Sequence, residues 1–267
     1  MKHDLFELLD IAKHAASLAA AVHRQAIQQG NFEFDTKASL SDLVTEVDRE
    51  SERELVRAIH AVRPSDAIVG EEGANTSGSS GVRWILDPLD GTTNFVHRYP
   101  GHSVAVGVEV DGQNVVGEVH DTFNDRVYTG IVGEGATCNG KPFSVRNECQ
   151  LKRALIGSGF LPDDEVRRKQ ADLLREILPR VRDIRRSGCP SLDICSVASG
   201  TLDGFYECGL GLWDISAASA IAKAAGATVS LLNSRVFPNP FLVVANDTLT
   251  SEVVRLLVEC GAVEPPS

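Results

Sequence analysis

Three acidic clusters in the sequence could hold a hard cation. The first is the run Asp87-Pro88-Leu89-Asp90-Gly91-Thr92-Thr93-Asn94-Phe95. The apolar stretch Trp84-Ile85-Leu86 reads as a buried strand that delivers Asp87, and Pro88 and Gly91 force a turn that brings Asp90 round. Two carboxylates three residues apart on a tight turn can converge on one point beside a backbone carbonyl, the all-oxygen setting that Mg²⁺ takes. A helix starting near Gly91 would aim free N–H groups and a positive dipole end at the same place, which suits a phosphate. Taken alone, Asp-Gly is also a common turn and Asp90 a plain cap.

The second cluster is Ile68-Val69-Gly70-Glu71-Glu72-Gly73, an apolar strand ending in two glutamates of which alternation turns one inward. The third is Trp213-Asp214 at the head of an Ala-rich helix, where the aspartate reads equally as an N-cap. A fourth piece, Thr45-Glu46-Val47-Asp48, precedes another helix and resembles a capping box with Asp in place of Glu or Gln.

Those residues need elements to carry them. Helical spacing of Leu5, Leu8, Leu9, Ala12, Ala15, Ala16 and Ala19 predicts an amphipathic helix over 4–29, and a second helix runs from Glu46 to Val62, stopped by Pro64. Ala67–Gly70 reads as a strand and Gly73–Gly81 as a mobile loop. Alternating Val104, Val106, Val108 and Val110, an Asp111-Gly112 turn and Val115–Val119 predict a hairpin. Beyond about residue 150 the pattern changes: strands at Leu155–Ser158, Gly204–Glu207 and Leu242–Ala245, helices at Asp164–Leu178, Leu192–Ser199 and Ile215–Ala225. Antiparallel pairing in 1–150 and α/β alternation in 151–267 predict a layered α/β sandwich, two parts forming one compact unit.

With 267 residues, 43% hydrophobic and 24% charged, the chain reads as an ordinary globular protein. A net charge of −11 argues against a general nucleic-acid binder. Its basic runs, Arg167-Arg168-Lys169 and Arg180 to Arg186, read as solvated helix faces. An anionic substrate would meet repulsion unless cations reversed the local field. The six cysteines (138, 149, 189, 195, 208, 260) show no zinc-site or disulfide spacing and read as small apolar packing residues. Together with the lack of a membrane-span or signal-peptide pattern, they point to the cytoplasm.

The four pieces stand in one order, and in that order they resemble the inositol monophosphatase family. The likeness extends to Lys37…Asp42-Leu43-Val44-Thr45…Asp48, Gly135-Ala136-x-x-Asn139-Gly140 and Val197-Ala198-Ser199-Gly200…Asp203-Gly204-Phe205-Tyr206-Glu207. It implies an α/β (α+β) fold, a layered αβαβα sandwich of the inositol monophosphatase and fructose-1,6-bisphosphatase type. It also implies a cytoplasmic Mg²⁺-dependent, Li⁺-sensitive phosphomonoesterase that works as a homodimer. Glu71, Asp87 and the Leu89 carbonyl would hold one Mg²⁺, Asp87, Asp90 and Asp214 a second, with a weaker third ion near Glu71. Thr92 and Asp48 would orient or deprotonate the attacking water. Gly91 and Thr92 amides would cradle the phosphate, and Asp90, Glu207, Asp214 and the loop from Gly188 would contact a small phosphorylated polyol.

The sequence departs from the family run Gly-Ser/Thr-Ala-Ala at Gly188-Cys189-Pro190-Ser191, and from W-D-x-A-A-G at Trp213-Asp214-Ile215-Ser216-Ala217-Ala218. Gly211-Leu212 replaces a larger polar residue, and Cys189 at a pocket rim would make activity sensitive to oxidation. The altered loop leaves histidinol phosphate, fructose 1,6-bisphosphate and 3′-phosphoadenosine nucleotides open beside inositol 1-phosphate. A different reading makes the chain a regulatory partner of the transcription machinery, with Arg180–Arg186 as its only local support.

Overall fold

The computed structural model describes residues 3–30, 34–36 and 43–265, apart from the side chains of 34–36 and 43–44. Lys37 and Asp42 lie outside the described residues. Helix α1 (Leu5–Gln29) starts where the Asp4 side chain accepts from the Phe6 and Glu7 amides, and ends at Gly30 in the left-handed region. Its Leu8, Ala12, Ala15, Ala16, Ala19, Ala20, His23 and Ala26 are buried, the stripe that the i, i+3, i+4 pattern predicts. Helix α2 (Glu46–Val62) begins with a full capping box made by Thr45 and Asp48.

Strands β1 (Phe34–Thr36) and β2 (Leu43–Thr45) pair as a short ribbon. The main sheet holds β3 (Ala67–Gly70), β4 (Asn75–Thr76), β5 (Val82–Asp90), β6 (Ser103–Val110), β7 (Gln113–Asp121), β8 (Arg126–Ile131), β9 (Gly135–Cys138) and β10 (Lys141–Phe143). Its order is β10-β9-β8-β7-β6-β5-β3-β4, antiparallel except for the β3–β5 pair. The second sheet holds β11 (Leu155–Ser158), β12 (Asp183–Arg185), β13 (Gly204–Cys208), β14 (Thr228–Leu232) and β15 (Phe241–Ala245) in the order β12-β11-β13-β15-β14. The remaining helices are α3 (Thr92–Val96), α4 (Asp164–Ile177), α5 (Pro190–Ala198), α6 (Leu212–Ala224) and α7 (Asp247–Glu259).

Among the described residues, three large apolar cores and a small fourth stack these elements. Helices α1 and α2 cover one face of the main sheet through Leu8, Leu55, Ile59 and Trp84. The other face and the second sheet enclose α5 and α6 around Val119, Ile194, Phe205 and Ile221. Leu173 and Ile177 of α4 and Leu249 and Leu257 of α7 cover the outer face of the second sheet. The result is αβαβα, the layering that the family resemblance implies.

Helix α6, which carries Asp214, lies unusually close to the main sheet because a row of glycines admits it. Gly107, Gly117 and Gly130 stand side by side on β6, β7 and β8. A Cβ on Gly107 would fall 2.3 Å from Ser216 Oγ, on Gly117 2.0 Å from the Ala217 carbonyl oxygen, and on Gly130 2.7 Å from Ile221 Cα. Backbone meets backbone there, so any side chain would push Asp214 away from the strand that carries Asp87.

Two readings are corrected. Residues 73–81 are not a free loop: β4 pairs with β3, and the Ser79 and Ser80 amides donate to the Ser65 carbonyl at 2.8 and 3.3 Å. The strand ending at Asp87 in the sequence reading continues to Asp90. Helix α7 and strands β9, β10, β12 and β14 went unread in the sequence; all but the helix are short strands near sheet edges.

Candidate active site

The end of β5 explains how the acidic turn forms. Asp87 sits opposite Ala105 and Asp90 opposite Ser103, so three steps on β5 match two on β6. That bulge tolerates Pro88, which cannot donate to a ladder, and it re-aims both aspartates. Gly91 then takes φ 86° and opens the short helix α3, where a Cβ would lie 2.7 Å from the Gly101 carbonyl oxygen. Asn94 holds α3 in place by donating to the Gly101 and Ser187 carbonyls at 2.7 and 2.8 Å. The second of those bonds ties the turn to the loop that starts at Gly188.

Each carboxylate has a distinct anchorage. Asp87 is 1% exposed; its Oδ1 accepts from the Leu89 amide at 3.1 Å, while Oδ2 has no hydrogen-bond donor. Asp90 Oδ2 accepts from the Ser191 amide at 2.8 Å and the Cys189 thiol at 3.1 Å. Glu71 follows β3, and its amide donates to the Leu86 carbonyl at 3.2 Å. Glu52 of α2 steadies that corner from below, accepting from the Glu72 and Ala74 amides at 2.9 Å each. Asp214 is the N3 residue of α6 and its Oδ2 accepts from the Gly211 amide at 2.6 Å, so the cap reading holds while the residue also lines the cavity. Asp48 likewise does two things. Its Oδ2 takes the Thr45 amide at 2.7 Å, and its Oδ1 takes the Thr92 hydroxyl at 3.1 Å.

Glu71, Asp87, Leu89, Asp90, Gly91, Thr92, Gly188, Glu207 and Asp214 all line one cavity of about 450 Å³, and Asp48 stands behind Thr92. Among the described residues, no three His, Cys, Asp or Glu side chains are already set close enough to hold an ion as placed. The same acidic groups act on one another. Burial, then Glu71, Asp90 and Asp214 in turn, push the Asp87 carboxyl well above the ordinary carboxylate range. Burial also raises Asp90, against the Ser191 and Cys189 bonds, and raises Asp48, against its bonds from Thr45.

The far wall holds Glu207, which the family resemblance names, and other residues that the sequence hid. Glu207 lies on β13, the central strand of its sheet, and its side chain is 7% exposed. Burial, then Asp193 and Asp214, push its carboxyl well up. Gly159 makes room for it, since a Cβ there would lie 2.1 Å from Glu207 Oε1. Asp193, inside α5, is pushed up to about 7 by burial, with Ser187 opposing. Arg167 and Arg186, read as solvated, line the cavity, whereas Arg180 and Arg185 pair with Glu259 and Asp183 at the surface. Pro190 does not distort the 188 loop; it is the first residue of α5, where a missing N–H costs nothing. Cys189 lies at the floor, fully buried, with its thiol pushed well up by burial and the Asp90 charge, so the rim and oxidation reading fails. Cys149 is exposed and is not a packing residue.

A bulged strand end, two helix starts and a buried carboxylate set thus enclose one acidic pocket inside an αβαβα sandwich. Residues 4–262 match the inositol monophosphatase family, and the chain belongs to it. It is 36% identical to an inositol-1-monophosphatase of Mycobacterium bovis over 97% of this chain and 96% of that one. It is also 32% identical to a protein of Pasteurella multocida named Nus factor SuhB, over 95% and 96% of the two chains. Among solved structures, Mycobacterium tuberculosis SuhB superposes with a TM-score of 0.83 at 33% identity, covering 98% of this chain and 100% of that one. The inositol monophosphatase of Anabaena (Nostoc) gives 0.83 at 29% identity, covering 98% of both. Family membership supports phosphatase activity as the class of reaction. Among the described residues, no helix is long and apolar enough to cross a membrane.

Proposed function

We propose that this chain is a Mg²⁺-dependent phosphomonoesterase that hydrolyses inositol 1-phosphate or a similar polyol phosphate. One observation carries the reading: Asp87 Oδ2 is buried without a donor, and Glu71 beside it brings only another carboxylate. Two carboxylates at such a place can be joined only by a shared proton or a cation. The donor set is all oxygen, as Mg²⁺ requires: Glu71, Asp87, the Leu89 carbonyl, Asp90 and Asp214. Two or three ions would hold there, drawing the side chains inward.

Bound there, Mg²⁺ supplies positive charge for the phosphate and the leaving oxygen, and acidity for an attacking water. The residues of the chain do the rest. Thr92 Oγ1 lies 3.1 Å from Asp48 Oδ1 and 3.0 Å from the Leu89 carbonyl oxygen, but it has one proton to give. Donation to Asp48 leaves the Leu89 carbonyl free for a cation and the Thr92 oxygen free to accept from the water. Asp48, with Oδ2 committed to Thr45, is then oriented to take that proton. The first amides of α3, at Gly91 and Thr92, would receive phosphate oxygens. Asp90, Asp214, Glu207 and the loop at Gly188 would accept from or pack on the hydroxyls of the polyol.

The test is phosphate release from inositol 1-phosphate, histidinol phosphate, fructose 1,6-bisphosphate and 3′-phosphoadenosine 5′-phosphate. A large preference for the inositol ester supports the reading, whereas preference for another member of the panel keeps the chemistry and reassigns the pocket. The Li⁺ sensitivity and the homodimer that the family resemblance implies are checked by inhibition and by sedimentation. A second reading, a partner of the transcription machinery, is favoured by the relatives named Nus factor. The Arg180–Arg186 run gives it little basic face, because Arg180 and Arg185 are paired and Arg186 faces the cavity.

A further inference from the structure

Behind the acidic turn, away from the cavity, lies a buried chain of polar groups that none of the roles above uses. His23 of α1 is fully buried. Its Nε2 lies 2.9 Å from the Pro88 carbonyl oxygen and its Nδ1 3.1 Å from Thr122 Oγ1. Thr122, just past β7, also has its hydroxyl 2.6 Å from His102 Nδ1. Phe95 packs against both imidazoles, with ring centroids 5.5 Å from His23 and 5.1 Å from His102, and Phe123 lies 5.9 Å from His102. These aromatic walls shield the chain from water.

The hydrogen positions follow by elimination. A carbonyl oxygen only accepts, so His23 Nε2 carries a proton and donates it to Pro88. Burial holds His23 down at about 3 and His102 at about 4, so both rings are neutral and each has one N–H. His23 Nδ1 is therefore an acceptor, and the Thr122 hydroxyl must donate to it. That same hydroxyl proton cannot also serve the His102 carbonyl, 3.3 Å away. Thr122 Oγ1 is left to accept from His102, whose proton then sits on Nδ1.

The relay does not stop at Pro88. The Pro88–Leu89 peptide is planar, and its other end, the Leu89 amide, donates to Asp87 Oδ1 at 3.1 Å. His23 grips the C=O of that unit while Asp87 is gripped by its N–H. We infer that His102, Thr122 and His23 form a one-directional hydrogen-bond relay that positions the Pro88–Leu89 peptide and, through it, the Asp87 carboxylate. They are positioning residues: none lines the cavity. Every donor in the chain points toward Asp87, so the dipoles reinforce one another and favour the ionised carboxylate. Such outer partners orient a ligating group and commonly alter metal affinity by about 10–100-fold.

The consequence for Mg²⁺ rests on the metal reading of the site, so the experiment has two arms. Long-range ¹H–¹⁵N correlation spectra of the unaltered protein report the tautomers directly. The relay requires a neutral His23 protonated on Nε2 and a neutral His102 protonated on Nδ1; either ring in the other tautomer, or doubly protonated at neutral pH, overturns it. The second arm titrates Mg²⁺ alone into the unaltered protein, Thr122→Ser and Thr122→Val by calorimetry. Thr122→Ser keeps the hydroxyl and should bind within about twofold of the parent, whereas Thr122→Val keeps the shape, loses the proton and should bind about tenfold more weakly. A Thr122→Val protein that melts earlier yet binds Mg²⁺ as the parent does would reduce the relay to a packing feature and contradict the inference. If the unaltered protein binds no Mg²⁺, the metal reading fails, and the tautomers still decide the relay. If Thr122→Val does not fold, the tautomers again decide it.

Discussion

The two walls of the cavity are built by opposite means. On the β5 side four aspartates each accept a backbone amide: Leu89 to Asp87, Ser191 to Asp90, Thr45 to Asp48, Gly211 to Asp214. On the far side, Glu207 is enclosed by burial, Asp193 is buried and bonded by Ser187, and Arg167 and Arg186 reach in from exposed positions. The first wall is braced by main-chain bonds close to the turn; the second depends more on the side chains packed around it. On the proposed reading, the chemistry falls to the first wall and substrate choice to the second.

Substitutions can break that contrast, beginning with the rigid wall. Asp87→Asn should reduce phosphate release by about 10³-fold, since it removes a charge aimed at the reacting centre. Measured in chelator, its melting temperature should be no lower than that of the parent, because the change relieves repulsion from Glu71, Asp90 and Asp214. A variant that lost stability along with activity would show Asp87 to be a structural group. Thr92→Val should lower kcat by about 10²-fold and leave KM nearly unchanged, as removal of a proton-handling hydroxyl does. A change confined to KM would move Thr92 to the substrate-binding set.

The adaptable wall should respond in the opposite kinetic parameter. In Gly159→Ala the new Cβ meets both Glu207 carboxyl oxygens at 2.1–2.2 Å, so Glu207 must move. KM for the polyol ester should rise by about tenfold, a typical effect of overpacking, with kcat little changed. Equal loss in both parameters would mean that the two walls are coupled. The smallest effect expected is on stability. Asp193 sits at about 7 in the fold against 3.8 for the free group, so the fold holds its proton more tightly than the unfolded chain does. Its contribution is fully present below pH 3.8 and is lost as pH rises to about 7. Asp193→Asn should therefore melt with the parent near pH 4 and several degrees above it at pH 8, in chelator. Equal melting points at pH 8 would show that burial costs Asp193 little.

The rigid wall was legible in the sequence because its parts are local. Asp87, Pro88, Asp90 and Gly91 state a turn within five residues, and Thr45 and Asp48 state a cap within four. Layering was legible too, since periodicity is a local signal. The far wall was not. Arg186 stands in a basic run whose other members are solvated, and nothing around Asp193 marks a mid-helix carboxylate as buried. Glu207 was named by the family resemblance alone, and its burial follows only from the pairing of β15 along β13. His23 was hidden in an Ala-rich helix, its partners lying 65 and 99 residues away in sequence. Contacts made across such distances leave no periodicity to read, and the glycine row beneath α6 was equally silent until three strands aligned.

On the proposed reading, the buried carboxylate set at Asp87 works through a divalent cation on a phosphate ester. Phosphate release from inositol 1-phosphate, followed with Mg²⁺, with chelator, and after Mg²⁺ is restored, tests it most directly. The structure predicts turnover with Mg²⁺, its loss in chelator and its full return. Hydrolysis that persists undiminished in chelator would contradict the account.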